Sequence, residues 1–396
     1  MAYTYPAPLS DNWNVPYEAI LDDMDGRITI ADTKASNATS GLQAGAWLDG
    51  FSGSTSDAKL TTAMSTIAAE TVKRPIWLTP GRQYSFSQAN RQLFSGFKLV
   101  CPGGFGNQQR AANSIPCDVR FTGSGTWWVN PGTTYDVMFS GVGIQGNSSS
   151  TFMMSNPGVL WTSVFRDLGF NLWKHVFGQP AAKFLNTAIL IDGWGNINNS
   201  YDTAASFGGS DSNLFVGGEW LIDSPTSIMS AASYHLRLDY QEKTNIGAIY
   251  MTAERSSGIY IVGGGTTTGL VLSGGLARVE GRNTGAPCVG SNIRIAGGGV
   301  TIRDWWVAYG GTAFNSNGHT GEGGIIQQDG GTVLYDGIWY DRATGVAETV
   351  PFINVSGGKA RVRNIQVGTK GGSWSGLPRV KNSGGTIDAD NSVTVI

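Results

Sequence analysis

FINVSGGKARVRNIQV, residues 352 to 367, holds the pattern that decides the fold: a short alternating run, a Gly-Gly pair, a second alternating run, an asparagine and a third apolar run. Four further segments follow it: LVLSGGLARVEG (270 to 281), IRIAGGGVTIRDW (293 to 305), IIQQDGGTVLYDGIW (325 to 339) and RVKNSGGTIDADNSVTV (379 to 395). Their Gly pairs begin at 274, 297, 330, 357 and 384, and the spacings of 23, 33, 27 and 27 residues fall in the window of solenoid repeats. Alternation with period two marks each run as a strand, and Gly-Gly supplies a corner where positive φ is needed.

In the second run, Ala277 and Val279, Val300 and Ile302, Val333 and Tyr335, Ala360 and Val362, and Ile387 and Ala389 share one parity and form the predicted inward ladder. One coil cannot bury that face alone, so successive coils stack. The opposite parity ends in Glu280, Arg303, Asp336, Arg363 and Asp390, alternating in sign. On strands stacked about 4.8 Å apart, this places an opposite charge above or below each group. Gly281, Asp304, Gly337, Asn364 and Asn391 then supply a second corner, since these residue types tolerate left-handed backbone. A third strand follows at Ile338 to Tyr340, Ile365 to Val367 and Val393 to Val395. The pattern predicts an all-β chain wound as a right-handed parallel β-helix with three strands per coil.

Composition agrees with growth by repetition. The 396 residues exceed the usual single-core limit of about 250 to 300. Gly accounts for 57 of them, charged residues for only 14%, and 13 are Trp, which fits neither a disordered chain nor a helical bundle. A net charge of -2 lacks the basic surface that nucleic acid requires. No apolar stretch approaches about 18 residues, and MAYTYPAPLS has no signal-peptide character, so the sequence predicts cytoplasmic synthesis without membrane insertion. Cys101, Cys117 and Cys288 lack zinc spacing and read as buried free thiols.

Upstream, 234 to 242, 248 to 254 and 258 to 264 read as less regular coils, and 137 to 146, 188 to 195 and 214 to 223 as further strands, with 196 to 213 a polar excursion. In 50 to 86, Ser56 or Asp57 caps a helix with Leu60, Met64 and Ile67 as its apolar stripe, followed by strand, turn and strand in PIWLTPGRQYSF. This helix would cover the open end of the coil. Near the start, Asn14 and Pro16 open a short helix whose Leu21, Met24 and Ile28 suit an oligomerising seam, and 32 to 45 reads as a linker. The chain thus divides into 1–45, an oligomerisation and attachment segment; 46–136, cap helix and first strands; and 137–396, parallel β-helix.

Asp49, Gly50, the helix from Asp57 to Thr71, and Trp77, Leu78, Pro80, Gly81 and Tyr84, placed before Gly-rich coils, resemble the pectate-lyase-like β-helix of bacteriophage tailspikes and minor tail proteins. TYPAPLSDNWNVPYEAILDDMDGRI (4 to 28) is similar to the segment joining some tail-fibre proteins to the tail. The resemblance implies a homotrimer on the virion tail, attached to other tail proteins and facing the host surface. It leaves open three roles: adsorption through cell-surface glycan, polysaccharide cleavage as a hydrolase or lyase, and a purely architectural part of the tail tip.

Candidate chemistry is sparse. Glu280, Asp336 and Asp390 are accounted for by the charge ladder, leaving Asp239, Glu242 and Glu254 as weak catalytic candidates that read more readily as solvated surface acids. Gly318-His319-Thr320 stands without the aspartate motifs of a polygalacturonase, and His175 and His235 are isolated, so neither metal nor cofactor is expected. Trp305, Trp306, Trp339 and Tyr340 start the third strand in adjacent coils. Trp306 and Trp339 align, and facing outward they would form a platform for sugar rings; facing inward they would be core or subunit-interface aromatics.

Overall fold

In the computed structural model the described residues are 47–102, 117–147, 149–154, 158–185, 187–198, 205–208, 214–223, 234–239, 245–247, 250–253, 257–263, 270–273, 276–280, 291, 293–310, 324–342, 351–369 and 377–396. They form a mainly-β structure. The described strands fall into one sheet of 19 and one of 14, and their pairings are parallel. Among these residues no helix is long and apolar enough to cross a membrane.

From Ile293 onward each repeat gives one strand to the smaller sheet and two to the larger, except the last, which gives two to the smaller and one to the larger. Ile293–Ile295, Ile326–Gln328, Ile353–Val355 and Arg379–Asn382 pair in succession. So do Gly299–Arg303, Thr332–Asp336, Lys359–Arg363 and Thr386–Ala389, and likewise Trp306–Gly310, Trp339–Arg342 and Gln366–Thr369. Val300, Val333 and Ala360 make one buried column, and Ile302, Tyr335 and Val362 the next. Gly358 shows why the first corner needs glycine. Its φ is +76°, and a Cβ there would lie 2.2 Å from the Gly331 carbonyl oxygen. Asp304, Gly337 and Asn364 take φ of 50°, 65° and 53° at the second corner, as their residue types predict.

The first repeat is displaced from its predicted alignment. Leu270–Ser273 pairs with Gly299–Arg303, setting Leu272 opposite Ile302 and Ser273 opposite Arg303. Leu276–Glu280 pairs with Trp306–Gly310, so Glu280 lies opposite Gly310 and outside the charge column, and Ala277 and Val279 face Val307 and Tyr309 across the ladder. Gly263 occupies the first corner instead, where a Cβ would come 1.9 Å from the Gly297 carbonyl carbon. The physical reason is that glycine suits either corner, so a Gly-Gly pair does not say which one it turns.

The rest of the charge column stands, with Arg303 opposite Asp336 and Asp336 opposite Arg363. Its direct contacts run diagonally. Arg363 pairs with Asp388 at 2.7 Å, Asp336 accepts from Asn364 Nδ2 at 2.7 Å, and Asp390 accepts from the Asn364 N–H at 2.9 Å. Thr394–Val395 departs from the third-strand row and pairs with Arg379 and Val380 on the smaller sheet.

Earlier strands include Met138–Gln145, Val164–Asn171, His175–Leu185, Thr187–Asn198 and Leu214–Asp223. The predicted excursion at 196–213 is shortened by Thr187–Asn198 running into it and by Ala205–Gly208, which pairs with Tyr234–Asp239. The interior here is aromatic: Phe121 stacks on Trp173 at 5.9 Å and Phe139 on Phe165 at 5.6 Å. Toward the C-terminus it mixes aliphatic residues with Trp305, Tyr335, Tyr340 and Phe352. Cys101 and Cys117 are buried as predicted but joined in a disulfide rather than free. The fold brings their Cα atoms to 6.3 Å, a proximity that a separation of 16 in sequence does not reveal.

The helix Ser56–Ala69 begins at Thr55, whose side chain accepts from the Ala58 N–H at 3.1 Å. Leu60, Ala63 and Ile67 are its buried residues, and Met64 is only partly covered. Thr79-Pro80-Gly81-Arg82 closes a turn, with the Arg82 N–H on the Thr79 carbonyl at 3.2 Å and Gly81 at φ +76°, as a type II turn with Pro at its second position requires. Asp49 ties this turn to the helix. It accepts from Tyr84 Oη and Thr79 Oγ1 at 2.8 Å each, and pairs with Arg82 at 2.9 Å and Lys59 at 3.3 Å. Burial pushes the Asp49 carboxyl up, but those hydrogen bonds and the Arg82 charge outweigh it and hold the group below the usual carboxylate range. The Leu21, Met24 and Ile28 seam lies outside the described residues.

Candidate functional site

At the second corner Trp305 turns inward, and alternation then sends position 306 out and 307 in. Trp305 and Tyr340 are therefore core residues, 0% and 1% exposed, with Tyr340 stacked on Phe352 at 4.3 Å. Their predicted place in a sugar platform is corrected on that ground. Trp306 and Trp339 are each 44% exposed and opposite one another in register. Leu276 precedes them in the column and Gln366 follows. Exposed Arg303 and Asp304 lie just before Trp306, so the aromatic pair has a polar margin.

Of the acids singled out by sequence, Asp239 is engaged by its own strand. Arg237 Nε donates to both of its carboxylate oxygens, at 2.9 and 3.1 Å. Glu242 and Glu254 lie outside the described residues, as does Gly318-His319-Thr320. His175 is buried in the strand His175–Leu185. Among the described residues no group of three or more His, Cys, Asp or Glu is placed to hold a metal ion.

A second outward feature was not singled out by sequence. Arg237, Tyr260 and Arg294 are register neighbours on three successive strands of the smaller sheet. The guanidinium carbons of Arg237 and Arg294 lie 5.7 and 5.6 Å from the Tyr260 ring centroid. Arg294 also pairs with Asp329 at 2.8 Å. Burial raises the Asp329 carboxyl, and hydrogen bonds from Gln327, Arg294 and Ser356 outweigh it to leave the group lowered. The signal was present in YHLRLD, GIYIV and IRI, each with one polar or aromatic residue between two aliphatic ones.

Compared with models of known protein families and with curated proteins, the chain matches none.

Proposed function

We propose that this chain is a right-handed parallel β-helix of three strands per coil that serves as a bacteriophage tail protein of the tail-fibre or tailspike type, contributing to host adsorption by contacting cell-surface glycan. The fold reading is supported by the repeats from Ile293 onward, which add parallel strands in register to the same two sheets. The tail reading rests on the tailspike resemblance, whose residues Asp49, Gly81 and Tyr84 belong to one hydrogen-bonded cap. A homotrimer mounted on the tail through residues 1–45 belongs to the same proposal.

The glycan reading is carried by the outward pair Trp306 and Trp339. Indole faces offer the flat apolar surface on which the C–H face of a sugar ring packs, while neighbouring polar groups meet its hydroxyls. Each indole has 44% of its surface open, about 110 Å² for a residue of about 250 Å². A ring covering half of that gains about 1.4 kcal/mol at ~25 cal/mol/Å², or about tenfold in affinity per tryptophan. Binding of purified protein to host surface polysaccharide tests this, with Trp306→Ala, Trp339→Ala and the double variant. The single variants should each weaken binding about tenfold, and the double variant by about a hundredfold at unchanged thermal stability. Unchanged affinity in the double variant refutes the platform.

A further inference from the structure

On the smaller sheet, Arg237, Tyr260, Arg294, Gln327, Asn354 and Lys381 occupy one register position through six successive strands. The residues flanking this position, among them Leu236 and Leu238, Ile259 and Ile261, and Ile293 and Ile295, are fully buried, so the column faces outward. It holds three cations and no acid. Its upper part satisfies itself: Asn354 Nδ2 donates to Gln327 Oε1 at 2.9 Å, Ser383 Oγ donates to Asn354 Oδ1 at 2.8 Å, and both amides are 6% exposed.

The lower part is built differently. Tyr260 lies between two guanidinium groups, and Asp239 and Asp329 hold those groups at Nε, at 2.9 and 2.8 Å. Each arginine side chain keeps 34% of its surface exposed. A guanidinium fixed at Nε and against a ring face has its plane set in advance, and that plane is the fork that matches a carboxylate. The two arginines sit two rungs apart, about 10 Å along the stack.

We propose that Arg237 and Arg294 form a subsite selecting acidic glycan: carboxylates of its uronic-acid-type units dock on the two arginines, which Tyr260 between them holds in place. This rests on the glycan reading above and adds the ligand's charge class. The aspartates orient the arginines and do not contact the ligand.

The test uses the full chain and calorimetric titration with acidic capsular oligosaccharides, each paired with its form in which the carboxylates are reduced to alcohols. The unaltered protein should bind the acidic form at least about tenfold more tightly, a preference that shrinks with added salt. Arg237→Gln and Arg294→Gln should each erase most of that preference while leaving affinity for the reduced form unchanged. Arg237→Lys, which keeps charge but loses the fork, should restore part of it, as a purely structural role would not require. Equal binding of acidic and reduced forms, or arginine variants that keep the preference, overturns this proposal alone. No binding of either form overturns the glycan reading and this proposal with it.

Discussion

Removing the Asp49 carboxylate should loosen the helix Ser56–Ala69 from the turn at Thr79 to Arg82, and the structure sets the size of the effect. Two hydroxyls donate to Asp49 Oδ2 at 2.8 Å, one of them from Tyr84, which is 2% exposed and also accepts the Thr79 N–H at 2.9 Å. Hydrogen bonds to a charged group contribute about 1.5 to 3 kcal/mol each. The Arg82 side chain is 54% exposed, so its pairing adds almost nothing. Asp49→Ala should therefore cost about 3 kcal/mol, and Asp49→Asn, which keeps one acceptor oxygen, about 1 kcal/mol. Because the folded carboxyl is held low, its stabilising effect is present above about pH 3.9 and is lost as pH falls through the folded value. The gap between Asp49→Ala and the unaltered protein should accordingly close in acid. Amide hydrogen exchange across Leu60 to Ile67 reads this locally, and 3 kcal/mol corresponds to about a 150-fold fall in protection. A loss below about 0.5 kcal/mol at pH 7, or a gap that widens in acid, refutes the hub.

Arg363→Glu should lower the melting temperature of the C-terminal strands, because it removes one of the two arginine partners of Asp388 and sets a like charge beside Asp336 and Asp390; molar salt should recover most of the loss. Arg303→Glu should shift the melt less, since among the described residues Arg303 makes no ion pair of this kind. Ile302→Asp should cost more than about 4 kcal/mol by burying an unpaired charge at a fully buried position, and limited proteolysis should then cut the C-terminal coils first.

The C-terminal third was legible because its corners are built from residues whose chemistry advertises them. Asp304 and Asn364 take left-handed backbone, and Asp and Asn are types that do so readily. The middle of the chain hides its corners. Thr162 and Leu172 adopt φ of 48° and 58°, which neither side chain favours, so nothing in the sequence marks them as turns. Tertiary packing enforces those conformations, with Phe165, Phe170 and Trp173 buried beside them. The same limit produced the slipped first repeat, since glycine presents identical chemistry at either corner and its position in the sequence does not tell the two apart. That slip also hid the Arg237, Tyr260 and Arg294 column, whose members align only once the strands Tyr234–Asp239, Ser257–Val262 and Ile293–Ile295 are in register.

Packing leaves the outward columns of a stack unconstrained, so each column can be asked whether the chain itself accounts for its composition. Arg303, Asp336 and Arg363 are accounted for by sign alternation at one rung spacing. Gln327 and Asn354 are accounted for by the hydrogen bond they share. Trp306 and Trp339 are not accounted for in either way. They present two large apolar surfaces on adjacent rungs, beside a strand whose neighbours Trp305, Val307 and Tyr340 already fill the interior. Exposed aromatics grouped in this manner mark a surface that meets a partner. The column runs from Leu276 through the two indoles to Gln366, and exposed Arg303 and Asp304 lie beside it, just before Trp306 in the chain. Two flat apolar faces on adjacent rungs with polar residues at their margin are what the proposed glycan ligand, a chain of rings with polar edges, would require.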